Sequence, residues 1–166
     1  MFYPLKTHFW KYHQLILSAF LLLFAFIKLG QHPIYPWDEA RTGVNAIEML
    51  INHDWVNLHY AGQPDHWRAK PPLVVWCVAG SFSLFGFNEF SLRLPSAIAI
   101  IFAFFFTYKT IRLYKNEKFA FWTCMMLLTA KGMIGWHVGR TGDFDAMLVF
   151  VLLAGLYNFP LMFLWR

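Results

Sequence analysis

Charged side chains are scarce in this sequence of 166 residues: only 14% are Asp, Glu, Lys or Arg, whereas soluble domains average about a quarter. Cysteine is scarce as well. Cys77 and Cys124 each lie in an apolar run, which predicts two buried thiols and argues against a disulfide framework or a cysteine-rich metal site. The basic residues form no stripe interleaved with aromatic residues. The net charge of +5 therefore indicates contact with anionic lipid headgroups rather than with nucleic acid.

Apolar and aromatic residues take the place of the missing charge. Hydrophobic residues make up 58% of the chain, including 19 Phe and 8 Trp, and they form runs close to the ~20 residues that a transmembrane helix needs. We therefore expect an all-α membrane protein with about four transmembrane helices in a single module, residues 1–166. The predicted spans are 12–30, 94–114, 119–138 and 146–165.

An outer loop, 31–93, separates the first two spans and contains two predicted juxtamembrane helices, 38–51 and 71–87. The first is predicted to be amphipathic and to lie at the membrane interface. Its apolar residues recur at helical spacing, at Ala40, Val44, Ile47 and Ile51. The opposite stripe is polar and consists of Asp38, Arg41, Asn45 and Glu48.

The second juxtamembrane segment, 71–87, decides the topology. It is uncharged but short for a hydrocarbon core about 30 Å thick. If it spanned the membrane, the basic loop at 109–118 would lie outside, against the positive-inside tendency. We therefore expect this segment to re-enter or lie flat. The N-terminus is then cytoplasmic, and every acid except Glu117 lies on the outer side.

Several short motifs follow one another in a fixed order. They are WDEAR at 37–41, DWV at 54–56, GQP at 62–64, KPPL at 70–73, FGFNEF at 85–90 with RLPS at 93–96, and GRTGDFD at 139–145. This series resembles the N-terminal portion of GT-C membrane glycosyltransferases of the aminoarabinose transferase and protein O-mannosyltransferase type. The resemblance implies a multi-pass protein of the plasma (inner) membrane with a GT-C-like N-terminal module. It also implies sugar transfer from a polyprenyl-phosphate donor to a lipid, glycan or protein acceptor at the outer face.

Within this resemblance, the first motif supplies the candidate catalytic base. We expect Asp38 to take the proton from the acceptor hydroxyl, although an acid at this position also suits the first turn of a helix. Glu39 points elsewhere on the helix and is expected to support the site. Arg41 shares the face of Asp38, where it is expected to keep that acid ionised and to contact the donor phosphate.

The later motifs supply the other candidates. Lys70 and Arg140 are expected to bind the donor phosphate, and Asp143 and Asp145 to contribute acids to the same pocket. An Asp-x-Asp pair also suits a divalent ion or the start of a helix. Many aminoarabinose transferases carry a metal-binding acid where this chain has Ala69, so no metal or other cofactor is carried over from the resemblance.

Other interpretations stay open. The resemblance covers only the N-terminal part of such enzymes, which leaves a fragment, a chain inactive on its own, or one half of a split enzyme whose second chain carries the missing spans. The main alternative is a non-catalytic four-span accessory or scaffold protein. A transporter is a third, and the acids argue against it because they gather in an outer loop and not at mid-membrane.

Overall fold

Helices dominate the fold. The structure is a computed structural model that describes residues 5–67, 70–134 and 138–164. In chain order the helices are α1 (Leu5–Phe26), α2 (Asp38–Asn52), α3 (Leu73–Phe85), α4 (Glu89–Tyr114), α5 (Glu117–Thr129), the short α6 (Lys131–Ile134) and α7 (Asp145–Leu164). The strands β1 (His59–Tyr60) and β2 (Gln63–Pro64) form a small antiparallel hairpin.

Helix α4 lies at the centre of the molecule, where it packs against α1, α3, α5 and α7. Its start is fixed by a capping box: the Ser91 N–H donates to the Asn88 side chain at 2.9 Å, and the Asn88 N–H donates to the Ser91 hydroxyl at 3.2 Å. The main core consists of apolar side chains from α1, α4 and α5. It includes Leu21, Ala25, Ile100, Phe104, Phe121 and Cys124.

Two of the described helices, α4 and α7, are long and apolar enough to cross a membrane by length and composition. They correspond to the predicted spans 94–114 and 146–165, and α4 begins earlier than predicted, at Glu89. Helix α1 covers most of the predicted span 12–30 but ends at Phe26. The membrane boundaries of the four spans stay predictions.

The predicted span 119–138 is not one continuous helix. Helix α5 ends at Thr129, because Ala130 has an extended conformation (φ −72°, ψ 115°), and α6 restarts at Lys131. The charge of Lys131 and the poor helix propensity of Gly132 both disfavour a continued apolar helix here. The rest of the predicted span includes residues 135–137, which lie outside the described residues, as do Ala69 and residue 165.

Helices α2 and α3 pack together and form a second core with Leu92 of α4 and Phe144. Helix α3 has 13 residues, about 20 Å at 1.5 Å per residue, which is shorter than a hydrocarbon core of about 30 Å. That length agrees with the interpretation that 71–87 does not span. Its location at the membrane surface stays a prediction.

The face that α2 buries differs from the predicted pattern. The helical pattern predicts Asn45 in the polar stripe, but Asn45 is fully buried, whereas Ile51 of the apolar stripe is 67% exposed. The burial of the Asn45 amide nitrogen is compensated, because it donates to the His59 carbonyl at 2.7 Å and to the Asp65 carboxylate at 3.0 Å. The buried residues of α2 are Glu39, Thr42, Gly43, Asn45, Ala46 and Met49.

Candidate functional site

Predicted acids from distant parts of the sequence line the same cavity. A space of about 340 Å³ lies between the start of α2 and the segment that precedes α7. Asp38 and Asp143 both line it, although they are far apart in sequence. The remaining lining residues are Tyr35, Pro36, Trp37, Glu39 and Thr141.

The backbone at the mouth of this cavity is strained. Trp37 immediately precedes Asp38 and has a φ of 77°, in a region that non-glycine residues rarely occupy. Its side chain is 82% exposed, so burial of the indole does not offset the energetic cost of this conformation. A strained residue next to a candidate base is typical of functional sites, where the surrounding structure enforces the geometry.

The segment 139–145 carries Arg140, Asp143 and Asp145, and Lys70 contacts it. The ammonium of Lys70 lies 5.1 Å from the centroid of the Phe144 ring, within the range of a cation–π contact. Arg140 donates a hydrogen bond to the Ile27 carbonyl just after α1. Asp145 is the first residue of α7 and is half-buried. The fold therefore brings Lys70 to the segment that carries Arg140, Asp143 and Asp145.

Glu39 and Arg93 form a buried ion pair beside the cavity. Arg93 Nε donates to Glu39 Oε1 at 2.7 Å and Nη2 donates to Oε2 at 3.0 Å, with both side chains 1% exposed. The same carboxylate accepts the Gly142 N–H and the Tyr35 N–H, each at 2.8 Å. A single acid thus joins α2, α4, the loop after α1 and the segment before α7.

Arg93 also donates hydrogen bonds to backbone carbonyls of the loop that follows α1. Its Nη1 donates to the carbonyls of Leu29 and His32 at 3.0 and 2.9 Å, and its Nη2 donates to the Pro33 carbonyl at 2.9 Å. Together with the two bonds to Glu39, these bonds use all the donor groups of a guanidinium that would be costly to bury without partners. The charged end of Arg93 therefore fixes the path from α1 to α2.

Comparison with known proteins agrees with the motifs. The family model described as dolichyl-phosphate-mannose-protein mannosyltransferase matches residues 69–163, more than half of the chain. The chain belongs to this family. An undecaprenyl phosphate-alpha-4-amino-4-deoxy-L-arabinose arabinosyl transferase from Aeromonas salmonicida is 30% identical over 146 residues, which cover 87% of this chain and 26% of the relative. One of the same description from Pseudomonas savastanoi is 36% identical over 85 residues, covering 51% and 15%.

Solved structures share the fold of this mannosyltransferase-family chain. The crystal structure of ArnT from Cupriavidus metallidurans in the apo state matches with a TM-score of 0.74 at 24% identity, over 86% of this chain and 27% of that one. The structure bound to undecaprenyl phosphate matches with a TM-score of 0.71 at 22% identity, over 84% and 25%. These matches confirm the predicted all-α membrane fold and its GT-C type. The chain spans about a quarter of the length of these relatives.

Arg41 forms its hydrogen bonds with Asp65, whereas the sequence suggested Asp38 as its partner. Its Nε donates to Asp65 Oδ2 at 2.8 Å and its Nη2 donates to Oδ1 at 2.5 Å, and its guanidinium lies 4.5 Å from the centroid of the Tyr60 ring. These two hydrogen bonds, with a third from Asn45, lower the pKa of Asp65 to about 2, and the same pairing raises the pKa of Arg41. Arg41 therefore ties the β-hairpin region to α2.

Arg93 is a residue of this site that the motifs alone do not single out, although the sequence carries a signal for it. In this member of the mannosyltransferase family, Arg93 stands in the RLPS motif directly before the predicted span 94–114. A guanidinium at the start of an apolar helix requires a partner, and the acid that meets it lies 54 positions earlier. Among the described residues, no group of three or more His, Cys, Asp or Glu side chains forms a metal-binding cluster.

Replacing Glu39 with Gln should strongly destabilise the protein. The substitution keeps the shape of the side chain but leaves the buried Arg93 charge uncompensated, which costs about 3–5 kcal/mol in comparable buried pairs. The free energy of unfolding in detergent micelles measures this loss. Glu48→Gln is the matched control, because it makes the same change on the same helix at a half-buried position. A loss for Glu39→Gln no larger than for Glu48→Gln would contradict this role.

The pairing of Asp65 with Arg41 predicts an acid-sensitive contribution to stability. The folded pKa of Asp65 lies below its ordinary value of 3.8, at about 2. The pair therefore stabilises the fold fully above pH ~4 and loses this effect as the pH falls toward 2. The melting temperature of the wild type should consequently fall more steeply between pH 4 and 2 than that of Asp65→Asn. Parallel curves for the two proteins would argue against the pairing.

Proposed function

We propose that this chain carries the N-terminal module of a glycosyltransferase that takes a sugar from a polyprenyl-phosphate donor. The observation that carries the proposal is the shared cavity of Asp38 and Asp143, next to the segment that Lys70 contacts through Phe144. The proposed base, a further proposed acid and the proposed phosphate ligand Lys70 thus lie on or against the segments that line this cavity. Membership of the mannosyltransferase family and the names of the aminoarabinose transferase relatives support the donor class.

In the proposed reaction Asp38 acts as the general base. Its carboxylate accepts the proton of the acceptor hydroxyl while the hydroxyl oxygen forms a bond to the anomeric carbon of the sugar. The bond between that carbon and the phosphate oxygen breaks, and its electron pair leaves with the polyprenyl phosphate. The negative charge on the leaving phosphate then requires stabilisation by nearby cations.

Lys70 and Arg140 are the proposed phosphate ligands. Lys70 is exposed, and an ammonium serves phosphate as a compact point charge. Arg41 is a third proposed ligand and would reach the phosphate through Nη1, since its Nε and Nη2 donate to Asp65. Asp143 and Asp145 are proposed to complete the acidic side of the pocket, and Glu39 to support it through Arg93.

The proposed orientation places this pocket on the outer side of the inner membrane. Helix α4 begins near the cavity with Glu89 and Arg93, and it ends near the basic residues Lys109 and Arg112. Because cytoplasmic loops carry an excess of basic residues, the far end of α4 and the N-terminus are proposed to be cytoplasmic. The acceptor is proposed to be a lipid, a glycan or a protein that approaches from the outer side.

Asp38→Asn should abolish transfer. Removal of a general base typically lowers a rate by roughly 10²–10⁴-fold, and the isosteric amide leaves membrane insertion intact. The assay incubates membranes that contain the chain with labelled polyprenyl-phosphate sugars and measures label in the product. Asp54→Asn is the matched control, because Asp54 lies in the same loop but accepts hydrogen bonds in its own exposed turn.

The outcomes separate the alternatives. Loss of label with Asp38→Asn and retention with Asp54→Asn support the proposed base. Unchanged turnover in Asp38→Asn removes Asp38 from this role. Membranes in which the wild-type chain yields no labelled product, alone or with a second chain that supplies further spans, favour the non-catalytic accessory or scaffold protein.

A further inference from the structure

A second space opens between α1 and α4, away from the cavity of Asp38. It has a volume of about 370 Å³, and we call it the α1/α4 groove. Most of its wall is apolar, from Leu17, Leu21, Ile101, Phe104 and Phe105. Its polar lining residues are Gln14, Ser18, Tyr108, Lys109 and Arg112.

The two helices run antiparallel, which fixes the orientation of the groove. Arg93 near the start of α4 contacts the chain just after α1 through the Leu29 carbonyl, whereas Tyr108 near the end of α4 contacts His13 in the first half of α1. The polar end of the groove therefore lies at the opposite end of α4 from Arg93 and from the cavity. The groove is a separate site from the proposed donor pocket.

The polar end of the groove is positively charged. Lys109 Nζ lies 5.4 Å from the centroid of the Phe105 ring, and the Arg112 guanidinium lies 5.9 Å from the centroid of the Tyr108 ring. Among the described residues that line the groove none is acidic. Two cations without a neutralising acid in the lining are complementary to an anion.

Hydrogen bonds fix the wall next to these cations. The Tyr108 hydroxyl lies 2.9 Å from Nε2 of the buried His13 and accepts a hydrogen bond from Gln14 Nε2 at 3.1 Å. His13 Nδ1 in turn lies 2.6 Å from the Trp10 carbonyl. This network holds the α1 and α4 walls in register, so a ligand meets a largely preformed surface.

The length of the groove matches one leaflet of a bilayer. From Ile101 to Arg112 the helix rises about 16 Å at 1.5 Å per residue. Half of a hydrocarbon core about 30 Å thick is about 15 Å. A lipid acyl chain that begins at the two cations and follows the apolar wall would therefore end near the middle of the membrane that α4 is predicted to cross.

We propose that the α1/α4 groove binds an anionic phospholipid from the leaflet opposite the candidate active site. The lipid phosphate lies between Lys109 and Arg112, and one acyl chain runs along Leu17, Leu21 and Ile101. Cations close to a membrane surface attract anionic lipids, and the apolar wall gives the acyl chain a complementary surface. The proposal does not depend on the chemistry proposed for Asp38.

Binding of defined lipids to the delipidated chain in detergent micelles tests the proposal, with native mass spectrometry as the readout. Phosphatidylglycerol should bind in a one-to-one complex more tightly than phosphatidylcholine of the same acyl chains. The double variant Lys109→Gln/Arg112→Gln should lose roughly thirtyfold in affinity for phosphatidylglycerol, at about 1 kcal/mol per basic residue. Lys115→Gln/Lys118→Gln removes the same charge nearby but outside the groove lining and should change affinity little.

A second pair of variants tests the apolar wall without touching the cations. Ser18 is exposed and lines the groove, so Ser18→Trp should fill it and prevent the one-to-one complex. Ala19 is exposed but is not part of the lining, so Ala19→Trp should leave binding unchanged.

Three results would overturn the proposal. Equal losses for the two charge variants would indicate diffuse attraction to the basic surface instead of a site. Unchanged binding in Ser18→Trp would remove the groove as the location, even if the charge variants failed to fold. Tighter binding of undecaprenyl phosphate than of phosphatidylglycerol, blocked by Ser18→Trp, would assign the groove to a polyprenyl lipid.

Discussion

The ion pair between Glu39 and Arg93 is the interaction on which the site depends. Removing two charges from water costs several kcal/mol per ion. Here the cost is offset by their mutual hydrogen bonds, by two N–H groups on the carboxylate and by three carbonyls on the guanidinium. The bond between Glu39 and the Gly142 N–H has a further consequence, because Asp38 and Asp143 are the chain neighbours of these two residues. Holding residues 39 and 142 together therefore holds Asp38 and Asp143 together at the cavity.

Gly142 can approach Glu39 and Leu92 closely because it has no side chain. A Cβ atom at this position would lie 2.9 Å from Leu92 Cγ and 3.3 Å from Glu39 Cγ, so a larger residue would push the segment away from the ion pair. Leu92 is also part of the core that α2 and α3 share with α4. The apolar packing of α2 and α3 and the ion pair of Arg93 thus involve adjacent residues of one helix, Leu92 and Arg93. The same helix extends about 39 Å along its 26 residues, long enough to separate the cavity from the basic end of the α1/α4 groove by the thickness of a bilayer core.

Sequence patterns predicted the features that depend on local properties of the chain. Apolar run lengths predicted a helix in each of the regions of α1, α4 and α7, although α1 and α4 begin before the predicted starts at residues 12 and 94, and the ordered motifs identified the family. They did not predict which face of α2 is buried, because Asn45 becomes favourable inside the protein only through its partners His59 and Asp65. The partners of Arg41 and Arg93 were missed for the same reason, since the choice among distant acids is made by tertiary packing. The interruption after Thr129 follows a local signal at Lys131 that the overall hydrophobicity of the segment obscured.

Amide hydrogen exchange of the 166-residue chain in micelles tests the central claim most directly. If the Glu39 carboxylate accepts the N–H groups of Tyr35 and Gly142, both amides should exchange slowly although neither lies within a helix. In Glu39→Ala, which removes the acceptor, both should lose protection together while amides in the middle of α4 keep theirs. Exchange of Tyr35 and Gly142 in the wild type as fast as that of exposed loop amides would contradict the account, since residues 39 and 142 would then not be held together.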